Sequence, residues 1–444
     1  MATSGTFRAY AAIALFLVFV SAAPAQYSGG SGTADDPYQI ATAADLIALG
    51  ETPEDYDKHF ILTADIDLSP FDGKEGRPAF PIIGDTYAAE IQVGSGGIHA
   101  GGTPFNGVFD GNGHTVSHLS AVDAKYTCRG LFGGLAYKGQ IMNLRVKDVT
   151  ITSTEGYVGG LVGLNEGTVT DCYASGTVTG GFYVGGLVGY NSAHWVIRKT
   201  ADGRVSQCHT ACRVNGVNHV GGLVGGNHGS VTQCYNTGAV SGNSTVGGVV
   251  GSGSATQCYN TGAVSGNSTV GGVVGSGSAT QCYSTGVVSG DTYVGGVGGS
   301  GSATQCYSTG AVSGNSTVGG LAGYGSAKQC YSTGAVRGSG ERVGGLIGQM
   351  DTRGMYCVWD METSGLSASD GGVGLTTVEM MDPYMLGLNG FASDPNWVLD
   401  AGCDYPRLAW EGTSGQMIPE PDVNWLEGSG TSEDPHRIGT ADQL

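Results

Sequence analysis

The chain holds 444 residues, of which 82 are glycine and only 13% are charged, against a usual charged share of roughly a quarter. A hydrophobic content of 40% supplies a core and argues against a disordered low-complexity chain. A formal net charge of -19 argues against nucleic acid or an anionic membrane as partner.

The N-terminus has the pattern of a secretory signal over 1–25. Arg8 gives a short positive region, Ala11–Val20 an apolar core, and Ala23-Pro24-Ala25 a small-x-small cleavage site before Gln26. The apolar run is too short for a membrane span, which needs about 20 residues, and no later stretch could cross a bilayer. Export places the mature chain at the cell surface or outside the cell.

Residues 26–125 read as an N-terminal cap with the first strands. The sequence predicts a short helix near Ala43–Leu49, a strand over Phe60–Leu68, and a strand–turn–strand pattern over Phe105–Val116. Residues 126–350 form a repeat array. Its mark is Val-Gly-Gly-x-x-Gly, as at Val158–Gly163, Val184–Gly189, Val220–Gly225 and Val246–Gly251. An insertion lies around His194–Asp202. From Cys234 onward the period is fixed: Cys234, Cys258, Cys282, Cys306 and Cys330 stand 24 residues apart. A fixed period of this size marks a solenoid, in which each repeat is one structural unit stacked on the next. Glycine is too frequent for helix, and β-branched runs between Gly, Asn and Ser turns read as strands. One unit divides into strands around Ala255–Tyr259, Gly262–Ser265 and Thr269–Val274. The fold class expected is all-β, a right-handed parallel β-helix of about 24-residue coils with caps at both ends. Asp351–Gly412, with Trp359, Trp397 and Trp410, reads as the C-terminal cap, and 413–427 as a linker. Gly428–Leu444 repeats the text of Gly30–Leu46, so a second module is expected to begin there and the gene to continue.

Substitutions between repeats assign side-chain directions. The cysteine column becomes Leu144 in an early copy, so it points inward. The next position accepts Tyr173, His209 and Arg145 as well as Tyr235, Tyr259, Tyr283, Tyr307 and Tyr331, so it points outward. The residue three before each cysteine is always apolar, as in Val231 and Ala255. Its parity differs from that of the cysteine, so a bulge or corner must lie between them. In-register cysteines on parallel strands point the same way, which suits a bridge poorly. The column is therefore read as buried reduced thiols, with Cys208 and Cys212 the pair best placed for a disulfide.

Gly159–Asn165 and Gly185–Asn191, each Gly-Gly-Leu-Val-Gly with a following Asn, resemble the GLUG motif. The Cys-Tyr-x-Thr-Gly-x-Val segment is similar to the rest of that unit. Asp36-Pro-Tyr-Gln-Ile40 and the stretches Trp359–Gly365 and Tyr405–Trp410 resemble segments that flank such arrays. The resemblance implies an exported bacterial β-solenoid of adhesin-like type. It brings no catalytic residues, and His-Glu-x-x-His is not found.

The chemistry in the residues is sparse. Acid–base work on a polysaccharide needs paired acids or a basic cluster; the candidates are Asp110, His114, Asp123 and Lys125, with Asp110–His114 also having the composition of a tight turn. Asp35, Asp36, Asp65 and Asp67 carry calcium-type oxygens but read better as solvated turn acids. No cofactor, metal or catalytic residue is assigned. From Ser230 to Ala327 the only charged side chain is Asp291. The strongest surface feature is the aromatic ladder Tyr235, Tyr259, Tyr283, Tyr307 and Tyr331, flanked by amides such as Gln233, Gln257, Gln281 and Gln305. Such a face suits docking of glycans or of proteins from a host or neighbouring cell, and like residues also stack for coil stability. The expected function is a structural or adhesive surface module. The alternative is a polysaccharide lyase or hydrolase of the same fold.

Overall fold

Short β-branched runs separated by glycines can bury their apolar side chains only by stacking on a copy of themselves, and the chain does this coil upon coil. The computed structural model describes residues 26–84, 86–90, 98–122, 128–194, 201–351, 356–400 and 404–412. The signal expected over 1–25, Asp123, Lys125, Cys403, the linker expected over 413–427 and the repeated tail 428–444 lie outside the described residues.

One regular coil shows the path. Ser244–Gly247 pairs with Ser268–Gly271 in a narrow 8-stranded sheet. Val250–Ser252 and Ala255–Thr256 pair with Val274–Thr280 in a 17-stranded sheet. Tyr259–Asn260 and Val264–Ser265 pair with Tyr283–Ser284 and Val288–Ser289 in a third. Each of these ladders is parallel and in register, so one repeat makes one coil. The early coils vary in length: Asn165 and Asn191 are 26 residues apart, Asn191 and Asn227 36. The longer coil carries the insertion as an antiparallel pair, Ala193–His194 with Ala201–Asp202.

The three strands expected per coil are five short ones on three faces in the coil Ser244–Ser265 and four in the coils that follow it. The break in the first comes at Gln257, whose φ is 52°. Gln233, Gln281 and Gln305 share it at 54°, 52° and 53°. A left-handed residue costs an L-amino acid about 1–2 kcal/mol, and here it turns the chain so that Ala255 and Cys258 both face inward. This is the corner that their unequal parity requires. The expected strand Phe60–Leu68 is likewise split, into His59–Leu62 and Ile66–Asp67. Phe105–Val116 is a solenoid corner, with Val108–Asp110 and Thr115–Ser117 in different sheets.

The interior consists of columns. Val246, Val249, Val250, Cys258 and Val264 are buried, as are their equivalents in neighbouring coils. The cysteine column is inside, and Cys172, Cys208, Cys212, Cys234, Cys258, Cys282, Cys306 and Cys330 carry unbridged thiols. The Cys258 N–H donates to Cys282 Sγ at 3.4 Å, and the Cys258 thiol donates to the Thr256 carbonyl at 3.2 Å. Cys208 and Cys212 are not bridged. Cys208 Sγ belongs to the column, accepting from the Cys172 N–H, while the Cys212 thiol donates to the Gly186 carbonyl. They stand on one short stretch of backbone but bond to different parts of the core.

Polar columns are buried too. Asn165 Nδ2 donates to Asn191 Oδ1 at 2.7 Å, Asn191 Nδ2 to Asn227 Oδ1 at 2.8 Å, and Asn227 Nδ2 to the Ser254 carbonyl at 2.7 Å. A second row joins Asn236 Nδ2 to Asn260 Oδ1 at 2.9 Å. Buried amides are tolerable because each finds its partner in the next coil. In the first row glycine then takes over, from Gly253 onward. Gly277 has φ 136°, and a Cβ there would lie 2.0 Å from the Gly253 carbonyl oxygen. Only glycine allows this path, and it merges two strands into the continuous Val274–Thr280.

At the N-terminal end, the helix Ala43–Glu51 begins with a capping box between Thr42 and Asp45. It places Leu46 and Leu49 in the same core as Phe60 and Leu62. At the other end, Val358–Asp360 pairs with the Tyr331 strand, and Cys357 is buried beyond Cys330. The chain then leaves the stack through short helices, Met361–Ser364, Thr377–Met380 and Pro383–Leu388.

Burial pushes the Cys208, Cys234 and Cys258 thiols well above their usual range, and the thiolate is the reactive form. Cys258 and Cys282 are fully buried, so a thiol reagent is expected to reach both slowly in the native protein and fully after unfolding. Rapid native labelling at either position would refute the inward assignment.

Candidate functional site

The residue after each column cysteine stands on the outer face of the third sheet, and in-register pairing brings successive rings to one strand spacing. The row runs Tyr173, His209, Tyr235, Tyr259, Tyr283, Tyr307, Tyr331. From His209 to Tyr331 the ring centroids are 4.6–5.0 Å apart and the planes lie within 11° of parallel. The sheet spacing thus imposes face-to-face stacking. Burial lowers the pKa of His209, with the Arg145 charge adding to the effect, and raises those of Tyr235 and Tyr259.

Beside the rings runs a chain of amides. Gln257 Nε2 donates to Gln281 Oε1 at 3.0 Å, and Gln281 Nε2 to Gln305 Oε1 at 3.1 Å. These bonds offset the left-handed backbone of the corner. The chain ends on a carboxylate, with Gln305 Nε2 donating to Asp394 Oδ2 at 2.6 Å.

That carboxylate belongs to the C-terminal segment, which folds back over the ladder. The expected exposure of the whole tyrosine column is therefore corrected. Tyr235 and Tyr259 are half-buried, whereas Tyr307 and Tyr331 are 7% and 2% exposed. Both lie in a core with Leu386, Phe391, Trp397 and Leu408, against which Tyr283 and Trp410 also pack. The rings are covered because the cap lies along the side of the solenoid as well as beyond its last coil. Polar contacts fix it. The Tyr307 hydroxyl donates to Glu411 Oε2 at 2.9 Å and the Tyr331 hydroxyl to the Pro406 carbonyl at 2.6 Å. Trp410 Nε1 donates to the Gln281 carbonyl at 2.9 Å. Gln329 Nε2 donates to the Gly390 carbonyl at 3.0 Å. Asp360, fully buried, accepts from the Tyr405 hydroxyl and from Thr377 Oγ1. The flanking stretch Tyr405–Trp410 thus supplies part of the lock on the ladder, together with Gly390, Asp394, Trp397 and Glu411. Sequence reasoning noted the tryptophans but not their target.

Asp110 and His114, weighed for acid–base chemistry, are occupied otherwise. Asp110 Oδ1 accepts from the Asn112 N–H at 2.8 Å and from Asn143 Nδ2 at 3.0 Å, which closes the corner. His114 Nδ1 lies 3.2 Å from Asp65 Oδ1, and His118 Nδ1 2.8 Å from Asp67 Oδ1. Among the described residues no group of three or more His, Cys, Asp or Glu could hold a metal ion. No helix of the described residues is long and apolar enough to cross a membrane.

A second stack went unpredicted. Tyr157, Tyr183 and His219 lie ring over ring, 5.3 Å and 4.7 Å apart, with Tyr190 edge-on to Tyr183. Each stacked residue has φ between 50° and 59°, so these rings mark a second left-handed corner. Their irregular spacing in the chain hides them.

The cap contacts titrate with opposite signs. Burial raises the Asp394 pKa, but the Asn396 N–H and the Gln305 and Gln329 amides outweigh it, so the group lies below its ordinary 3.8. It contributes stability present above that value and lost as pH falls through the depressed one. Burial raises Glu411 above its ordinary 4.5, so cap stability falls as pH rises through that interval. Tryptophan fluorescence of Trp397 and Trp410 is expected to report cap loosening below about pH 4. Asp394→Asn is expected to flatten the acid side and Glu411→Gln the side above 4.5; unchanged profiles would refute these assignments.

The family model for the GLUG motif matches residues 154–179 and 216–241. Halomucin of Haloquadratum walsbyi is 36% identical over 163 residues, 36% of this chain and 2% of halomucin. A "Putative Gly-rich membrane protein" of Evansella cellulosilytica is 31% identical over 148 residues, 32% of this chain and 15% of that protein. The match thus spans a small part of either relative. A solved structure described as "a putative immunoglobulin A1 protease from Bacteroides ovatus" covers 87% of this chain and 96% of its own, at 19% identity and TM-score 0.43; at that score it carries no argument. The chain carries GLUG repeats at these two places, each built as one coil of a parallel β-solenoid.

Proposed function

We propose that this chain is an exported cell-surface β-solenoid serving as a structural and adhesive module, whose ladder face holds surface glycans or proteins of a host or neighbouring cell. The observation that carries this reading is the row of rings left half-buried above the cap, Tyr173, His209, Tyr235 and Tyr259. Aromatic faces offer apolar contact at low entropic cost, and hydroxyls and amides at their edges supply direction. The regular coils add a periodic surface almost free of charge, which limits electrostatic repulsion between neighbouring cells. A halomucin and a Gly-rich membrane protein among the relatives support a place at the cell envelope.

The test is retention of the protein on immobilised polysaccharides and on whole-cell surfaces. Tyr235→Ala with Tyr259→Ala is expected to weaken retention about tenfold, as loss of anchoring aromatics does at other interfaces. Equal retention of variant and parent would sink the adhesive reading.

The role is proposed as non-enzymatic. It is supported by the use of Asp110 in a corner and of His114 in a pair with Asp65. Incubation with a uronic-acid polymer is expected to give no turnover. Reproducible turnover abolished by Asp110→Ala would establish the enzyme reading instead.

A further inference from the structure

The cap shows what the ladder accepts. In the run Asp394-Pro-Asn-Trp397, Asp394 Oδ1 accepts from the backbone N–H and from the side-chain amide of Asn396, both at 2.9 Å. That closes a local turn, while Oδ2 takes the ladder amide of Gln305. The turn sets Trp397 against Tyr307 and Tyr331, with ring centroids 6.3 Å and 5.7 Å away. One short text therefore fills both halves of the site. Its carboxylate satisfies the amide row and its indole covers the rings. Further on, Trp410 sits 5.9 Å from Tyr283 and bonds to the Gln281 carbonyl.

The next rungs present the same chemistry without that cover. Tyr259 lies 4.9 Å from Tyr283, with planes 2° apart, and Tyr235 4.6 Å from Tyr259. Gln257 and Gln233 hold the same left-handed corner as Gln281. Gln233 is exposed. The surface is continuous with an interface already formed, differing only in what lies on it. The text also occurs twice in the sequence, as Asp394-Pro-Asn-Trp397 and as Asp422-Val-Asn-Trp425.

We infer that the rungs Tyr235–Gln233 and Tyr259–Gln257 receive a polypeptide segment of the Asp-x-Asn-Trp kind. The inference rests on the proposal that the ladder is a binding face, and it names a peptide as the occupant. Gln257 Nε2 already donates to Gln281 Oε1, so the donors left on this face are the exposed Gln233 amide and the tyrosine hydroxyls. An acidic segment supplies acceptors, as Asp394 and Glu411 do on the covered rungs. The near absence of charge along the regular coils leaves no carboxylate row to repel it.

The probe is a synthetic peptide with the sequence of 394–400. The host is the full chain carrying Asp422→Ala and Trp425→Ala, so that its own second copy of the text cannot compete. Saturable binding by fluorescence polarisation is expected. Trp397→Ala or Asp394→Asn in the peptide is expected to weaken it about tenfold, and these variants leave the protein's fold untouched. Tyr259→Ala in the host is expected to weaken it similarly, and replacement of the exposed Tyr137 by Ala to leave it unchanged. Absence of binding at millimolar peptide, or equal binding by the Trp397→Ala peptide, would overturn the inference. If Tyr259-dependent retention on polysaccharide persisted alongside that failure, the adhesive reading would stand and only the peptide partner would fall.

Discussion

Everything in this molecule follows from parallel strands held in register at one strand spacing, about 4.8 Å. At that separation each side chain's main neighbour is the same residue one coil away. A column therefore succeeds only if its residue can stack on itself. Valines interlock, thiols accept the N–H of the coil before, amides pass a hydrogen bond down the row, and tyrosines stack face to face. A charged column would repel itself at every rung, which accounts for the single carboxylate, Asp291, between Ser230 and Ala327. Where Asp291 does occur, Asn315 Nδ2 meets it at 2.7 Å, so a neutral donor on the adjoining coil replaces a like charge.

The same rule explains what could be read from the letters. The spacing of Cys258 and Cys282 fixes the coil, and the replacement of cysteine by Leu144 but of tyrosine by His209 fixes inside and outside. The helix near Ala43 was legible because the Thr42–Asp45 cap and the spacing of Leu46 and Leu49 are local signals. The corner at Gln257 was legible only as a parity conflict. Glutamine has no special preference for left-handed backbone, and its stabilisation comes from the amide of the next coil. The cap over Tyr307 and Tyr331 was not legible. Gln305 and Asp394 are 89 residues apart, and Tyr307 and Glu411 are 104 apart. Nothing in the local pattern of a tyrosine column tells a covered rung from an open one.

The candidate site thus has two parts with one origin. The stack creates a face of rings and amides along the coils, and the C-terminal segment uses the last three rungs as its own foundation. Tyr283, Tyr307 and Tyr331 serve stability, while the rungs before them share their chemistry without sharing that duty. Of the two roles weighed for the aromatic ladder, its last three rungs take the structural one, and the docking role is the one proposed for the rungs before them.

Because the cap grips only the final rungs, length and attachment are separate properties of this chain. Removing one whole 24-residue unit, such as Ala255–Ser278, would bring identical columns together again. The rod would shorten by about 4.8 Å, and the contacts of Asp394, Trp397 and Glu411 would be unaltered. Removing one residue more or fewer would turn every column beyond the cut toward the wrong face. The array can therefore change its reach only in whole steps, and a gene that copies or drops complete units adjusts how far the face extends without redesigning either end.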